Sequence, residues 1–126
     1  MKNLLLSDGE WKLMNLLWAE SPLTIREMVT ALEGDTAWTK ATVNMMLNRL
    51  AEKGVVQIDA SERRKRFYPL LSREDAVRQE AKNTLEKIKA DGLGLMLSAM
   101  AQECTLSEEE LDELTRILKG ARRDHG

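Results

Sequence analysis

The hydrophobic pattern of this chain changes period at Gly54, and this change limits the possible folds more than any other feature of the sequence. Between residues 38 and 53, apolar residues recur every three or four positions, which is typical of an amphipathic helix. Directly after Gly54, the stretch Val55-Val56-Gln57-Ile58 is short and β-branched, which favours a strand. The sequence therefore predicts a mainly α-helical fold with a small β-hairpin, of the α+β class.

Three helices are predicted before the hairpin. Two capping-box patterns, Ser7 with Glu10 and Thr24 with Glu27, open the first two apolar runs. The third helix follows Thr39 as its cap residue. Its predicted buried stripe is Val43, Met46, Leu47 and Leu50. Three short helices in succession, with a short turn between the last two, outline a helix-turn-helix unit.

The predicted hairpin carries a run of positive charge. Residues 59–62 have the composition of a turn, and residues 63–71 can return as a second strand, with Pro69 marking an edge strand or the end of the strand. Four consecutive cations stand at its tip or on its return arm: Arg63, Arg64, Lys65 and Arg66. A basic hairpin directly after the third helix predicts the wing of a winged helix-turn-helix domain.

The face of the third helix opposite its apolar stripe carries short, neutral side chains around Met45. Such a face fits the major groove of DNA, where Asn pairs with adenine and apolar groups contact the thymine methyl. The free N–H groups at the start of this helix would face a phosphate. The predicted DNA-binding residues are Thr39, Lys40, Ala41, Thr42, Asn44, Met45, Asn48, Arg49, Arg63, Arg64, Lys65 and Arg66.

Charge is unevenly distributed along the chain, although the net value is only -2. Residues 38–71 contain seven Lys or Arg against three acids, whereas residues 72–126 contain nine against twelve. The middle third of the chain therefore suits a polyanionic partner, and the C-terminal part has a different role.

We expect residues 1–71 to form the DNA-binding domain and residues 72–126 a helical dimerisation domain. A long polar helix is predicted after Ser72, with a break at residues 91–94, and a last helix after Ser107. The apolar stripes here are too sparse for a separate core, so a second copy of the chain is the simplest partner. The predicted dimer contacts are Leu93, Met96, Leu97, Met100, Leu111, Leu114, Ile117 and Leu118. The glycines of the break are interpreted as a hinge candidate.

Catalytic and cofactor chemistry have few candidate residues. The chain contains one cysteine, Cys104, and one histidine, His125, which excludes an internal disulfide and a cysteine-clustered zinc site. No nucleophile with a base and no Gly-rich phosphate loop is recognisable, so we expect no enzyme, no metal and no other cofactor. No apolar run reaches the roughly 18 residues of a membrane span, and the N-terminal segment lacks the apolar stretch of a signal peptide. A cytoplasmic location is expected.

Five segments, taken in order, resemble the penicillinase repressor family of winged-helix regulators. They are LSDGEWKLMNLLW (6–18), SPLTIREMV (21–29), WTKATVNMMLNRLAEKG (38–54), RFYPL (66–70) and LSEEELDELTRIL (106–118). The resemblance implies a homodimeric transcriptional repressor that binds an inverted-repeat operator in double-stranded DNA. It also implies base contacts near the start of the third helix, at Ala41, Thr42 and Met45.

The chain departs from the family pattern at three places. The family often has Pro-Lys where this chain has Lys40-Ala41, which displaces the lysine by one residue. The resemblance implies inactivation by a sensor or protease, but the Asn-Phe bond cleaved in β-lactamase repressors corresponds here to Ala99-Met100. The copper-responsive branch uses a cysteine cluster, which Cys104 alone does not supply.

From the residues alone, one alternative function stays open. A winged-helix module could bind a protein through the same surface and have no DNA function, because the net charge is modest and Met45 and Ala41 are nonpolar. Two residue-level alternatives also stay open: the four hairpin cations could be a solvated cluster, and Arg49 could pair with an acid of the first or second helix.

Overall fold

In a computed structural model of the chain, the backbone is described for residues 5–103 and 107–125, and the side chains for the same residues apart from 89–91, 118 and 121–125. Within these ranges the elements are α1 (Asp8–Ala19), α2 (Ile25–Leu32), α3 (Lys40–Glu52), β1 (Val56–Asp59), β2 (Arg66–Pro69), α4 (Arg73–Glu103) and α5 (Glu108–His125). The predicted fold class, mainly α with one small β-hairpin, is confirmed. Two compact units divide inside α4, between Thr84 and Leu85.

The starts of α1 and α2 are set by the capping boxes that the sequence predicts. The Ser7 N–H donates to Glu10 Oε1 at 2.9 Å, and the Glu10 N–H donates to Ser7 Oγ at 3.2 Å. The same reciprocal pair joins Thr24 and Glu27, at 3.0 and 3.2 Å. Each box satisfies N–H groups that would otherwise lack a partner at the helix start, so these two helix boundaries are local properties of the sequence.

The core of the first unit lies between the three helices and the hairpin. Its largest fully buried side chains are Leu13, Met14, Leu17, Met28, Val43, Leu47, Leu50, Val55 and Phe67. The predicted stripe of α3 accounts for three of them, and its fourth member, Met46, is half-buried. Burial of each such side chain contributes about 1.5–3 kcal/mol, so α3 is held firmly with its opposite face outward.

α3 ends in a turn that suits glycine. The φ angle of Gly54 is 81°, in the left-handed region that other residues rarely adopt. The Gly54 N–H donates to the Ala51 carbonyl at 3.0 Å, and the Val55 N–H to the Leu50 carbonyl at 3.1 Å. The chain therefore leaves α3 and enters β1 within a few residues, which fixes the hairpin beside the helix.

The hairpin is anchored to the core by Phe67. β1 and β2 are antiparallel, with Val56 opposite Pro69 and Asp59 opposite Arg66. Phe67 is completely buried, and its backbone also bridges to Leu23, at 2.9 and 3.3 Å. The predicted wing is confirmed, and Pro69 is the last residue of β2, as expected. β1 begins one residue later than predicted. β2 is shorter than predicted, because residues 60–65 form the loop between the strands.

In the second unit, the predicted break at residues 91–94 is wrong, because α4 runs without interruption from Arg73 to Glu103. A glycine inside a helix costs about 1 kcal/mol relative to alanine. Neighbouring Leu, Met, Ala, Lys and Glu residues are strong helix formers, and they outweigh two such costs at Gly92 and Gly94.

The caps predicted for the last two helices are present. The Asp75 N–H donates to Ser72 Oγ at 3.1 Å at the start of α4. Ser107 and Glu110 form a capping box at the start of α5, at 3.2 and 3.1 Å. Cys104 lies outside the described residues. None of the helices in the described part of the chain is long and apolar enough to cross a membrane.

Candidate nucleic-acid interface

The start of α3 is organised by two threonines. Thr39 Oγ1 accepts a hydrogen bond from the Thr42 N–H at 3.2 Å, and the two hydroxyl oxygens also lie 3.2 Å apart. Thr39 is therefore the cap residue, as predicted, and both hydroxyls are engaged within the helix turn. Lys40 and Ala41, the first two residues of the helix, are exposed directly beyond this cap.

The outward face of α3 carries the residues that the helical period places there. Met45 is 50% exposed, and Ala41, Asn48 and Arg49 are exposed with it. Thr42 and Asn44 flank this face and are half-buried. Arg49 takes part in none of the ion pairs among the described side chains, so its predicted alternative, pairing with an acid of α1 or α2, is not seen there.

A groove of about 470 Å³ lies between α2, α3 and the loop of the wing. It is lined by Thr24, Ile25, Arg26, Lys40, Ala41, Asn44, Arg64 and Lys65. Four of these residues are cations, and they come from three different elements. The groove thus brings the start of α3 and two of the wing cations together, which their positions in the sequence could not show. We refer to it as the α2–α3–wing groove.

Arg26 belongs to this groove but was not among the predicted site residues. It is the second residue of α2, it is exposed, and it also lines two neighbouring clefts. A cation in the first turn of a helix opposes the helix dipole. That unfavourable position was the signal in the sequence, because it indicates a role other than stabilising α2.

One wing cation, Arg66, lies among acidic side chains. Its guanidinium is 3.1 Å from Glu62, and Asp59 is its partner across the hairpin. The pKa of Asp59 lies below its ordinary value, first because Ser61 hydrogen-bonds to the carboxylate and further because of the positive charge of Arg66.

An acid of α2 lies within reach of the same wing. The pKa of Glu27 is also lowered, first by hydrogen bonds from the backbone and side chain of Thr24 and then by the positive charges of Arg66 and Arg64. Arg63 and Lys65 make none of the ion pairs found among the described side chains. The four consecutive cations of the wing therefore have unequal surroundings.

A partly buried ion pair fixes the end of α3 against the start of α1. Lys53 Nζ donates to Glu10 Oε1 at 2.6 Å and to the Leu5 carbonyl at 3.2 Å, and only 5% of Glu10 is exposed. Burial by itself would raise the pKa of Glu10. The hydrogen bond and charge of Lys53, with hydrogen bonds from Ser7, outweigh burial and bring the pKa below its ordinary value.

The start of α1 also packs closely against α3. A methyl group added at Gly9 would lie 2.7 Å from the end of the Met46 side chain and 3.3 Å from the Trp38 ring. A side chain at Gly9 would therefore displace the flexible end of Met46 and crowd the Trp38 ring. The Glu10–Lys53 pair is the polar contact that joins the start of α1 to the end of α3.

A three-helix core, a hairpin after the third helix and a cation-lined groove beside that helix define a winged-helix domain. The chain matches the family model described as Penicillinase repressor over residues 6–120. It belongs to that family. The prediction of a winged-helix transcriptional regulator of this family is confirmed.

Known relatives span nearly the whole chain. The methicillin resistance regulatory protein MecI of Staphylococcus aureus is 23% identical over 113 residues, covering 90% of this chain and 92% of its own. The penicillinase repressor of Bacillus licheniformis is 26% identical over 114 residues, covering 90% and 89%. The solution structure of the DNA-binding domain of the repressor BlaI is 28% identical and has a TM-score of 0.52, covering 60% of this chain and 93% of that one.

A second solved structure shows a relative with DNA. It is the monomeric form of Bacillus licheniformis BlaI in complex with the blaP half-operator, with 28% identity and a TM-score of 0.50. It covers 60% of this chain and 93% of its own.

Proposed function

We propose that this protein is a transcriptional repressor that binds double-stranded DNA as a homodimer, at an inverted-repeat operator. The observation that carries this proposal is the α2–α3–wing groove, where four cations stand beside the exposed, mostly uncharged face of α3. The related BlaI structure with a half-operator supports the choice of DNA as the ligand.

In this proposal α3 enters the major groove and reads bases with the outward face around Met45. Asn48 and Asn44 can pair with adenine, whereas Ala41 and Met45 suit contact with a thymine methyl. Lys40 lines the cation-lined groove and contributes charge more than base reading. Thr39 and Thr42 act through the cap, which orients the first turn of α3 toward the DNA.

The cations lining the groove supply the sequence-independent part of binding. Arg26, Lys40, Arg64 and Lys65 would neutralise phosphates on the DNA backbone, and each neutralised phosphate releases condensed counterions. Affinity should therefore depend steeply on salt. If the same surface instead bound an apolar protein partner, the chain would show no salt-dependent association with DNA.

Dimerisation is proposed for the C-terminal helices because they leave large apolar side chains in water. Met100 is 52% exposed and Ile117 58%, and Leu111 and Leu114 are exposed as well. Leu93, Met96 and Leu97 are half-buried within a single chain, and the side chain of Leu118 lies outside the described set. Leu95 is 77% exposed, more than any other large apolar side chain in the described part of the chain. It was not among the predicted dimer contacts, and we add it to them.

Release from DNA would use a signal other than cleavage of an Asn-Phe bond. The corresponding bond, Ala99-Met100, lies inside α4, so a protease would need both a different specificity and a locally opened helix. We therefore keep a sensor or protease, as the family resemblance implies, as a proposed inactivating partner, but one with a different specificity.

The proposal is tested by measuring the affinity of the purified chain for a mixed-sequence duplex at several salt concentrations. We expect affinity to fall by orders of magnitude between about 50 and 200 mM salt if about six to eight phosphates are neutralised per dimer. The variant Arg26→Gln/Lys65→Gln should bind more weakly and with a shallower salt slope.

A charge-matched control for this double variant is Arg73→Gln/Arg78→Gln on α4, which removes two cations that do not line the groove. Its affinity and slope should equal those of the unaltered chain. If the unaltered chain showed no salt-dependent association, the protein would instead be a protein-binding winged-helix module.

A further inference from the structure

Arg66 differs from the three cations before it in where its backbone lies. Arg63, Arg64 and Lys65 belong to the loop of the wing, whereas Arg66 is the first residue of β2. The next residue, Phe67, is completely buried. Arg66 is therefore held by the hairpin ladder and cannot move freely with the loop toward a ligand.

Acids from three segments lie near Arg66. Glu62 of the loop contacts its guanidinium at 3.1 Å, Asp59 is its cross-strand partner at the end of β1, and Glu27 of α2 lines the same cleft as Arg66. The pKa values of Asp59 and Glu27 are lowered mainly by hydrogen bonds from Ser61 and Thr24, and the positive charge of Arg66 lowers both further. Arg66 thus contacts the loop through Glu62 and shares a cleft with α2.

Arg66 is not among the residues that line the α2–α3–wing groove, whereas Arg64 and Lys65 are. Arg66 lines a neighbouring cleft with Glu27 and Glu62, and Arg64 lines both the groove and this cleft. Because Arg66 already contacts the Glu62 carboxylate, it would have to give up that contact to neutralise a phosphate, and it would release few further counterions on binding DNA.

We propose that Arg66 is a positioning residue, which holds the wing loop against α2 through Glu62, Asp59 and Glu27 so that Arg64 and Lys65 line the groove, and that it does not itself contact a phosphate. This inference rests on the proposed DNA-binding function. It separates one cation of the run from the other three, although all four were predicted to contact DNA.

The test measures binding of the full chain to a labelled mixed-sequence duplex across a salt series, together with the melting temperature. The variants are Arg66→Gln, Lys65→Gln and their double. The matched control is Arg78→Gln on α4, because Arg78 forms the same kind of i,i+4 pair, at 2.6 Å from Glu74. Arg78 lines neither the groove nor the cleft that contains Arg66.

For Lys65→Gln we expect the magnitude of the salt slope to fall by about 0.9 per bound chain, the value for one lost phosphate contact. For Arg66→Gln we expect an unchanged slope and a melting temperature equal to that of Arg78→Gln, which loses an ion pair of the same kind. We expect its affinity to be about two- to fivefold lower per bound chain, the range set by one exposed ion pair. Arg66→Lys should restore the affinity. Because Arg66 acts through its neighbours, the double variant should lose less than the product of the two single losses.

A loss of slope in Arg66→Gln equal to that in Lys65→Gln would show a direct phosphate contact and overturn the inference alone. Binding by Arg66→Gln that matches Arg78→Gln, or losses that simply multiply in the double variant, would also overturn it. A melting temperature below that of Arg78→Gln, with no specific loss of affinity, would make Arg66 merely structural. If the unaltered chain failed to bind DNA with a salt dependence, both the proposed function and this inference would fail.

Discussion

Met45 and Asn48 show what can be inferred about single residues from the sequence. Their outward position follows from the helical period and the apolar stripe alone, and the structure places both on the exposed face of α3. Arg26 could not be assigned in this way, because its groove is formed only when α2, α3 and the wing meet. Arg66 was grouped with its neighbours because adjacency in sequence does not show which cation faces acids.

The ion pair between Glu10 and Lys53 leads to a prediction about stability. Replacing Lys53 with Met leaves the buried Glu10 carboxylate without its main partner, so we expect the free energy of unfolding to fall by about 1–3 kcal/mol. Urea unfolding at neutral pH measures this change. Lys12→Met is the matched control: its ion pair with Asp35 is exposed, and its loss should cost less than about 1 kcal/mol. Equal losses in both variants would contradict the assigned role of Glu10.

The lowered pKa of Glu10 determines how this residue makes the free energy of unfolding depend on pH. The pKa of Glu10 in the folded chain lies below its ordinary value of 4.5. Its contribution to stability is therefore present above that ordinary value and is lost as pH falls through the lower, folded pKa. Glu10→Gln should flatten this part of the stability profile. If unfolding of the variant kept the full acid dependence, other carboxylates would be responsible.

Among the elements, helix starts were predictable and interruptions were not. Each start at Ser7, Thr24, Thr39, Ser72 and Ser107 depends on hydrogen bonds within four residues, so the local sequence is sufficient. The continuity of α4 depends instead on the sum of propensities along 31 residues, which two glycines do not overturn. The order of helices and hairpin was likewise readable, because the hydrophobic period changes where α3 meets β1.

Replacement by alanine should change stability by different amounts at the glycine that follows α3 and at the glycine that follows α2. Gly54 has a φ angle of 81°, so Gly54→Ala should destabilise the chain by about 1–2 kcal/mol through backbone strain. Gly34 ends its helix with open space around it, and Gly34→Ala should change stability by less than about 1 kcal/mol. Chemical denaturation of the two variants checks this difference. A Gly54→Ala chain as stable as Gly34→Ala would refute the role given to the turn.

At the scale of the whole molecule, the proposed DNA-binding and dimerisation surfaces belong to two different compact units. The cation-lined groove lies in the unit that ends at Thr84, and exposed apolar residues such as Leu95 and Ile117 lie in the unit that begins at Leu85. The predicted division at residues 71 and 72 follows the end of the wing, whereas the compact units divide inside α4. Sequence patterns could not locate that point, since it depends on which part of one continuous helix packs with each unit.

The proposed function requires that two copies of this chain read an inverted repeat in DNA. This requirement is tested by selecting bound fragments from a random duplex pool at near-physiological salt and sequencing them. We expect enrichment of an inverted repeat with the unaltered chain and of single half-sites with Leu114→Lys, which places a charge on the apolar stripe of α5. Val77→Lys, at an exposed apolar position outside the predicted dimer contacts, should still select the inverted repeat. Recovery of the pool without enrichment by the unaltered chain would show that the protein does not read such a sequence.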